Sequence, residues 1–169
     1  MPMYDRQKAV QYGQRYAQSP NSAYYTFPQD CTNFVSQSLF AGGWTMIQGQ
    51  KQSSSVWYCD KKEWYSFAIS PASYTWAGAR NFHDFLSGSG RAKLAKKPED
   101  LTLGDVVQMS NSGGIHHTML VTGLVTGSYN DLTMSYHTPN TPHRLLSDIS
   151  AKSNGETFIY WKLLDAFTK

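Results

Sequence analysis

Charge is scarce in this 169-residue chain. Only 16% of residues are Asp, Glu, Lys or Arg, and 15 basic against 12 acidic side chains leave a formal +3. The basic residues are scattered, so no positive stripe follows a nucleic-acid backbone, and nucleic acid is excluded as the expected partner. No apolar run reaches about 18 residues, so no membrane-spanning helix is expected. The opening MPMYDRQKAV has no apolar stretch behind its charges, and no signal peptide is expected in it. Cysteine is nearly absent: Cys31 and Cys59 are the whole complement. Neither lies in a C-x-x-C pair, so both read as separate thiols, and no metal or other cofactor is expected. Internal repeats and low-complexity tracts are lacking too.

What is abundant is large apolar surface. Aromatics make up 14% of the chain, with 5 Trp and 11 Tyr, too much for disorder and too mixed for a coiled coil. The length suits one domain spanning 1–169, expected as a monomer.

Apolar residues Ala9, Tyr12, Tyr16 and Ala17 recur at helical spacing, predicting an amphipathic helix over about 4–18. SPNSAYYTFPQ is a breaker-rich loop. A second helix starts behind Asp30, whose carboxylate can cap its first turn, and stops at Gly42-Gly43, which puts Cys31 at the first helical position. Residues 47–60 read as irregular. Trp76, Ala79, Phe82, Phe85 and Leu86 predict a third helix from Ser73 to about Leu86. Beyond Asp100 the segments GDVVQMS, HHTMLVTGLV, DLTMSYHT and ETFIYWKLL alternate with turn residues, as adjacent antiparallel strands do. Helices first and strands second define an α+β fold, with N-terminal helices packed on one face of a C-terminal antiparallel sheet.

A cysteine at a helix N-terminus meets unpaired N–H groups that favour thiolate over thiol. The Asp30 charge works against this, and a neighbouring imidazole would complete the activation. His117, Met119 and Val121 share one strand parity, so His117 is expected to face the packed helix and His116 to point elsewhere. His137, Asn140 and Asp105 are candidates for a third group that orients His117. Leu132, Met134 and Tyr136 have the opposite parity to His137. Either that apolar parity faces away from the cysteine helix, or the strand is irregular near His137. The commoner reading of a lone cysteine or strand histidine is a core thiol or a structural imidazole. Cys59 reads as buried and inert, His83 as packing or surface, and His116 and His143 as solvated. The tryptophans read mainly as core, although loop positions would let Trp44 and Trp57 line a groove.

DCTNFVSQSLFAGGWTM, the helix before it, SYTWAGARNFHDFL, GDVVQMSNSGGIHHTMLVTGL and LTMSYHT closely resemble, in order, the putative amidase domain family of bacterial papain-like cysteine hydrolases. The resemblance spans about residues 4–165 and extends to CHAP and NlpC-type cell-wall peptidases. It implies a papain-like fold, with Cys31 as nucleophile, His117 as base, His137 as the orienting residue, and Gly104-Asp105 as the turn opening the sheet. Asn140 is the alternative third residue. IHHT departs from the family, which more often has an acidic residue before the histidine, and the prolines of HTPNTPH are a second departure. The implied activity is hydrolysis of peptidoglycan amides through a thioester acyl-enzyme at the bacterial cell wall, with release by a phage, export by a machine, or excision as a domain. Tyr24 and Tyr25, just before the nucleophile, are candidate substrate contacts. The competing readings are a non-catalytic cell-wall binding module and an acyltransferase using the same Cys-His pair.

Overall fold

The computed structural model describes residues 1–60 and 70–168. Among them are helices α1 (Arg6–Tyr16), α2 (Cys31–Ala41), α3 (Tyr74–Ala77), α4 (Ala79–Gly88) and α5 (Leu146–Ala151). The strands are β1 (Ala92–Ala95), β2 (Val106–Asn111), β3 (Gly114–Val125), β4 (Asp131–Tyr136), β5 (Thr141–Leu145) and β6 (Thr157–Leu163). They form one sheet in the order β1-β6-β2-β3-β4-β5, with every adjacent pair antiparallel. The α+β arrangement is as expected, and α1, α2 and α4 pack on one face of this sheet against β3.

The other face is covered as well. Neighbouring strand residues send their side chains to two different cores. Val106, Leu120, Trp161 and Leu163 join Phe34, Val35, Leu39, Trp44, Trp57, Trp76, Phe82 and Phe85 on the helical side. Val107, Met109, Met119, Val121, Leu132, Met134 and Tyr136 join Leu101, Leu146 and Ile149 on the opposite side. A strand buried on both faces carries no polar parity to mark its outer side. Trp44 and Trp57 are core residues and line no groove; Trp64 lies outside the described residues.

Helix α2 is the hub. Every residue from Cys31 to Leu39 is buried, although five of the nine are Thr, Asn, Ser or Gln. Each of those has a partner: Thr32 bonds Thr118 at 2.8 Å, Asn33 bonds Trp76 Nε1 at 2.8 Å, Ser36 donates to the Trp76 carbonyl, Gln37 accepts from Tyr12 and Ser38 donates to the Phe34 carbonyl. Satisfied polar side chains let a helix be buried all round without an amphipathic pattern. Close approach is arranged on α1, where a Cβ on Gly13 would come within 2.8 Å of Leu120 Cδ2.

Three local expectations are corrected. The Asp30 carboxylate makes no capping bond to the first turn of α2; its oxygens are used elsewhere, as described below. The helix predicted from Ser73 to Leu86 is two helices, because Gly78 takes an extended conformation between α3 and α4. Finally, part of the HTPNTPH loop is strand β5. Pro142 sits there on the edge of the sheet, where a missing N–H need not break a ladder.

Candidate functional site

Cys31 is the first residue of α2, buried, with a free thiol. β4 pairs with β3 only from Ser135, opposite Leu120, onward. Past that point β3 has no β4 partner, and there the Thr118 backbone N–H lies near enough to the Cys31 sulfur to lower its thiol. The Thr32 hydroxyl lies 3.8 Å from the same sulfur. Burial pushes the thiol above its ordinary value, and the N–H and hydroxyl contacts from Thr118 and Thr32 pull it back in part. The sulfur thus sits buried beside Thr118 and Thr32.

The structure does not bring His117 to that sulfur. Thr118 reaches toward α2, so His117, its neighbour in regular pairing with Met109, faces the opposite side of the sheet. There its ring stands edge-on to Tyr136, with centroids 4.8 Å apart. The expected parity is reversed because the all-apolar parity of β3 packs the far core, while the parity beside the helices carries Thr118, Leu120 and Thr122. For the same reason the first of the two alternatives for β4 holds, with Leu132, Met134 and Tyr136 facing away from the cysteine helix.

A β-bulge sits beside His117. Met109 pairs with His117 and Ser110 with Ile115, which leaves His116 as the extra residue. His116 is exposed but not free: its Nε2 lies 2.8 Å from Glu156, which also accepts from Asn111. Among the described residues no hydrogen bond joins Cys31 to either histidine.

His117 is held well below its ordinary value of 6.5, at about 4, first by burial and then by repulsion from His116. The unfolded chain therefore binds a proton between those two values that the folded chain does not, so stability falls as pH drops through that window and is unaffected above it. We expect His117→Gln to flatten this acid slope by about 2–3 kcal/mol at pH 4, measured as urea unfolding at pH 7, 5 and 4. Equal slopes in both proteins would show that another group sets acid stability.

His137 is buried on the helical face, its ring 4.3 Å from that of Phe34. Its Nδ1 lies 2.6 Å from Asp30 Oδ2 and its Nε2 lies 2.7 Å from the Tyr16 carbonyl oxygen. Both ring nitrogens are thereby occupied, and neither faces His117. Asn140 is also remote from His117; it donates to the Gln18 carbonyl. Asp105 is buried among Arg6, Thr102 N–H and Leu163 N–H and belongs to the framework. Tyr24 and Tyr25 are both half-buried in the loop before Cys31. Tyr24 stacks on Trp76, and Tyr25 meets Phe27 edge-on while its carbonyl accepts from Asn33. His143 is exposed, and His83 contacts Asp84 and the Trp161 ring. Cys59 is buried, its thiol pushed up to about 12 by burial and the nearby Asp60 charge. The Asp30–His137 pair was legible only as two separate motifs, DC and SYHT, with nothing in either to say that they meet.

These features sit on an α+β amidase-type domain: the family model described as "Putative amidase domain" matches residues 3–161, and the chain belongs to that family. Among curated proteins it is similar to Uncharacterized protein YhbB of Bacillus subtilis (strain 168), 30% identical over 98% of this chain and 52% of the relative. It is also similar to Uncharacterized protein YjcM of the same organism, 28% identical over 92% of this chain and 36% of the relative. The chain thus spans about half or less of the relatives it matches. No solved structure matches it. No helix among the described residues is long and apolar enough to cross a membrane.

Proposed function

We propose that this chain is a papain-like, cysteine-dependent amide hydrolase acting at the bacterial cell wall on peptidoglycan, at stem-peptide, cross-bridge or muramoyl-amide bonds. The observation that carries the reading is the seating of Cys31: a thiol at a helix start, beside the stretch of β3 that β4 leaves unpaired, with the Thr118 N–H and the Thr32 hydroxyl near its sulfur. Such donors stabilise a thiolate before attack. Membership of an amidase family and the resemblance to NlpC and CHAP peptidases support the substrate class.

In this mechanism the Cys31 thiol gives its proton to His117 and the thiolate attacks the amide carbonyl carbon. Backbone N–H groups at the start of α2 bind the developing oxyanion. The imidazolium then passes its proton to the nitrogen as the C–N bond breaks, releasing the amine and leaving a thioester. Water, deprotonated by His117, attacks the thioester, and the thiol is restored as the acid product leaves. Both groups are neutral at rest, with the thiol above and the imidazole below their ordinary values. Turnover by this route therefore requires His117, which rests against Tyr136 on the opposite face of the sheet, to reach the sulfur.

The test is digestion of purified peptidoglycan followed by mass spectrometry of the soluble products. Paired new amine and carboxyl ends identify the bond cleaved. Binding to the polymer with no new ends would favour a binding module, and products in which an added amine replaces water would favour acyl transfer.

A further inference from the structure

Asp30 is the residue immediately before the nucleophile, and its interactions run backward and across the fold. Oδ1 accepts from the Phe27 N–H at 2.8 Å and from Asn33 Nδ2 at 2.9 Å. Oδ2 meets His137 Nδ1 at 2.6 Å, and the Asp30 N–H donates to Thr138 Oγ1 at 2.9 Å. Two N–H donors and one ring nitrogen thus converge on the carboxyl group, which leaves it no part in capping α2. His137 in turn has oxygen acceptors at both ring nitrogens, Asp30 Oδ2 and the Tyr16 carbonyl. An oxygen thus stands at hydrogen-bond distance from each ring nitrogen, which fixes the plane of the imidazole. The pair is 1% and 5% exposed at its side chains, so solvent competes little for the contact.

The location gives the pair its consequence. His137 and Thr138 follow the last residue of β4, where that strand leaves β3, and the vacated edge is where Thr118 N–H meets Cys31. The Asp30–His137–Tyr16 contacts therefore tie the end of α1, the start of α2 and the end of β4 together, one residue from the sulfur.

We propose that Asp30 and His137 form a positioning pair that registers the nucleophile helix against the stretch of β3 that β4 leaves unpaired, so that Cys31 sits beside the Thr118 N–H. The inference rests on Cys31 as the nucleophile. It makes His137 act through Asp30 and α2, in place of the role of orienting His117.

The charge and the anchor have opposite signs at Cys31. The negative charge of Asp30 raises the thiol, whereas the Thr118 N–H lowers it. The groups facing His137 from the packed elements are the Asp30 carboxylate and Phe34 ring of α2 and the Tyr16 carbonyl of α1. The next titratable group along α2 is the Cys31 thiol itself. Removing Asp30 as a charge alone would speed thiolate formation; removing it as an anchor would slow it.

The experiment is iodoacetamide labelling of Cys31 across pH in a Cys59→Ala background, which reads the thiol directly and needs no cell-wall substrate. Asp30→Ala and His137→Ala are each expected to slow labelling at pH 7 about tenfold through an upward-shifted profile. The double variant should be no slower than either single one. Asp30→Asn keeps the geometry, because its oxygen still accepts from Phe27 and Asn33 while its amide nitrogen can donate to His137 Nδ1. It should label at least as fast as the parent, with the profile shifted down.

Labelling of Asp30→Ala that is faster than the parent overturns the proposal, as does His137→Ala with a parental profile. Parental labelling with lost turnover in His137→Ala would return His137 to the catalytic histidine. Near-UV circular dichroism checks folding. If the alanine variants do not fold, His137→Asn, which keeps a donor to Asp30 and loses the one to Tyr16, is read in their place: slowed labelling supports the pair and parental labelling overturns it. Failure of the hydrolase reading is separate, since it is decided by whether Cys31→Ala still cleaves substrate.

Discussion

Cys31→Ala is expected to abolish amide hydrolysis, by at least about a thousandfold, while leaving the fold and the unfolding midpoint close to those of the parent. The loss is large because no other group can take the place of the sulfur. The Thr32 hydroxyl that touches it is bound to Thr118 at 2.8 Å, and the only other cysteine is the inert Cys59. The structural cost is modest because the substitution removes one atom: the Thr118 N–H loses its contact with the sulfur, while Thr32 keeps its bond to Thr118. Cys59→Ala is the matched control. Its thiol donates to the Asp60 carbonyl, away from Thr118, and most activity should survive. The measurement is release of new amines from purified peptidoglycan over time. Parental rates in Cys31→Ala would end the cysteine-hydrolase reading whatever the fate of the other residues.

Part of this molecule was readable before any coordinates. The helix start at Cys31 was visible because Asp30 and Gly42-Gly43 mark the two ends of the segment, and the four long strands were visible because turn residues separate β-branched and aromatic segments. The two short edge strands were not. β1 is four residues long, and β5 contains Pro142, so neither carries a strand signature. The direction of His117 was lost for a physical reason: Met119, Leu120 and Val121 are all fully buried, so hydrophobicity does not separate one face of β3 from the other. The hydroxyl pair Thr118 and Thr122 was the signal for the helical side, because close helix packing favours small side chains that can pair with a polar helix. The buried polar contacts of α2 explain that choice. Bulges are equally silent in the sequence, and the one at His116 decides where two adjacent histidines go. The Asp30–His137 pair joins residues 107 apart, a distance that no local pattern spans.

The second large effect concerns the framework that holds the sheet to α1. Asp105 is fully buried at the start of β2. Its Oδ1 accepts from Arg6 Nη1 at 2.8 Å and from the Leu163 N–H at 2.8 Å, and its Oδ2 accepts from the Thr102 N–H at 2.9 Å. Just before it Gly104 has φ +79 and its carbonyl accepts from the Tyr4 hydroxyl, so the turn that delivers Asp105 needs glycine. Asp105→Ala leaves the Leu163 and Thr102 N–H groups without their acceptor and takes the inner carboxylate from Arg6. Orphaning buried donors together with one half of an ion pair costs about 3–5 kcal/mol, which for a chain of this length lowers the unfolding temperature by about 10 °C. Asp165 supplies the comparison: it bonds the same arginine at 2.6 Å, but its side chain is 67% exposed. Solvent screens that contact, and Asp165→Ala should cost less than about 1 kcal/mol. Thermal and urea unfolding of the two variants side by side decide the matter. If they lose equal stability, the buried N–H acceptance at Asp105 is not what joins β2 and β6 to the first helix, and Arg6 alone carries the connection.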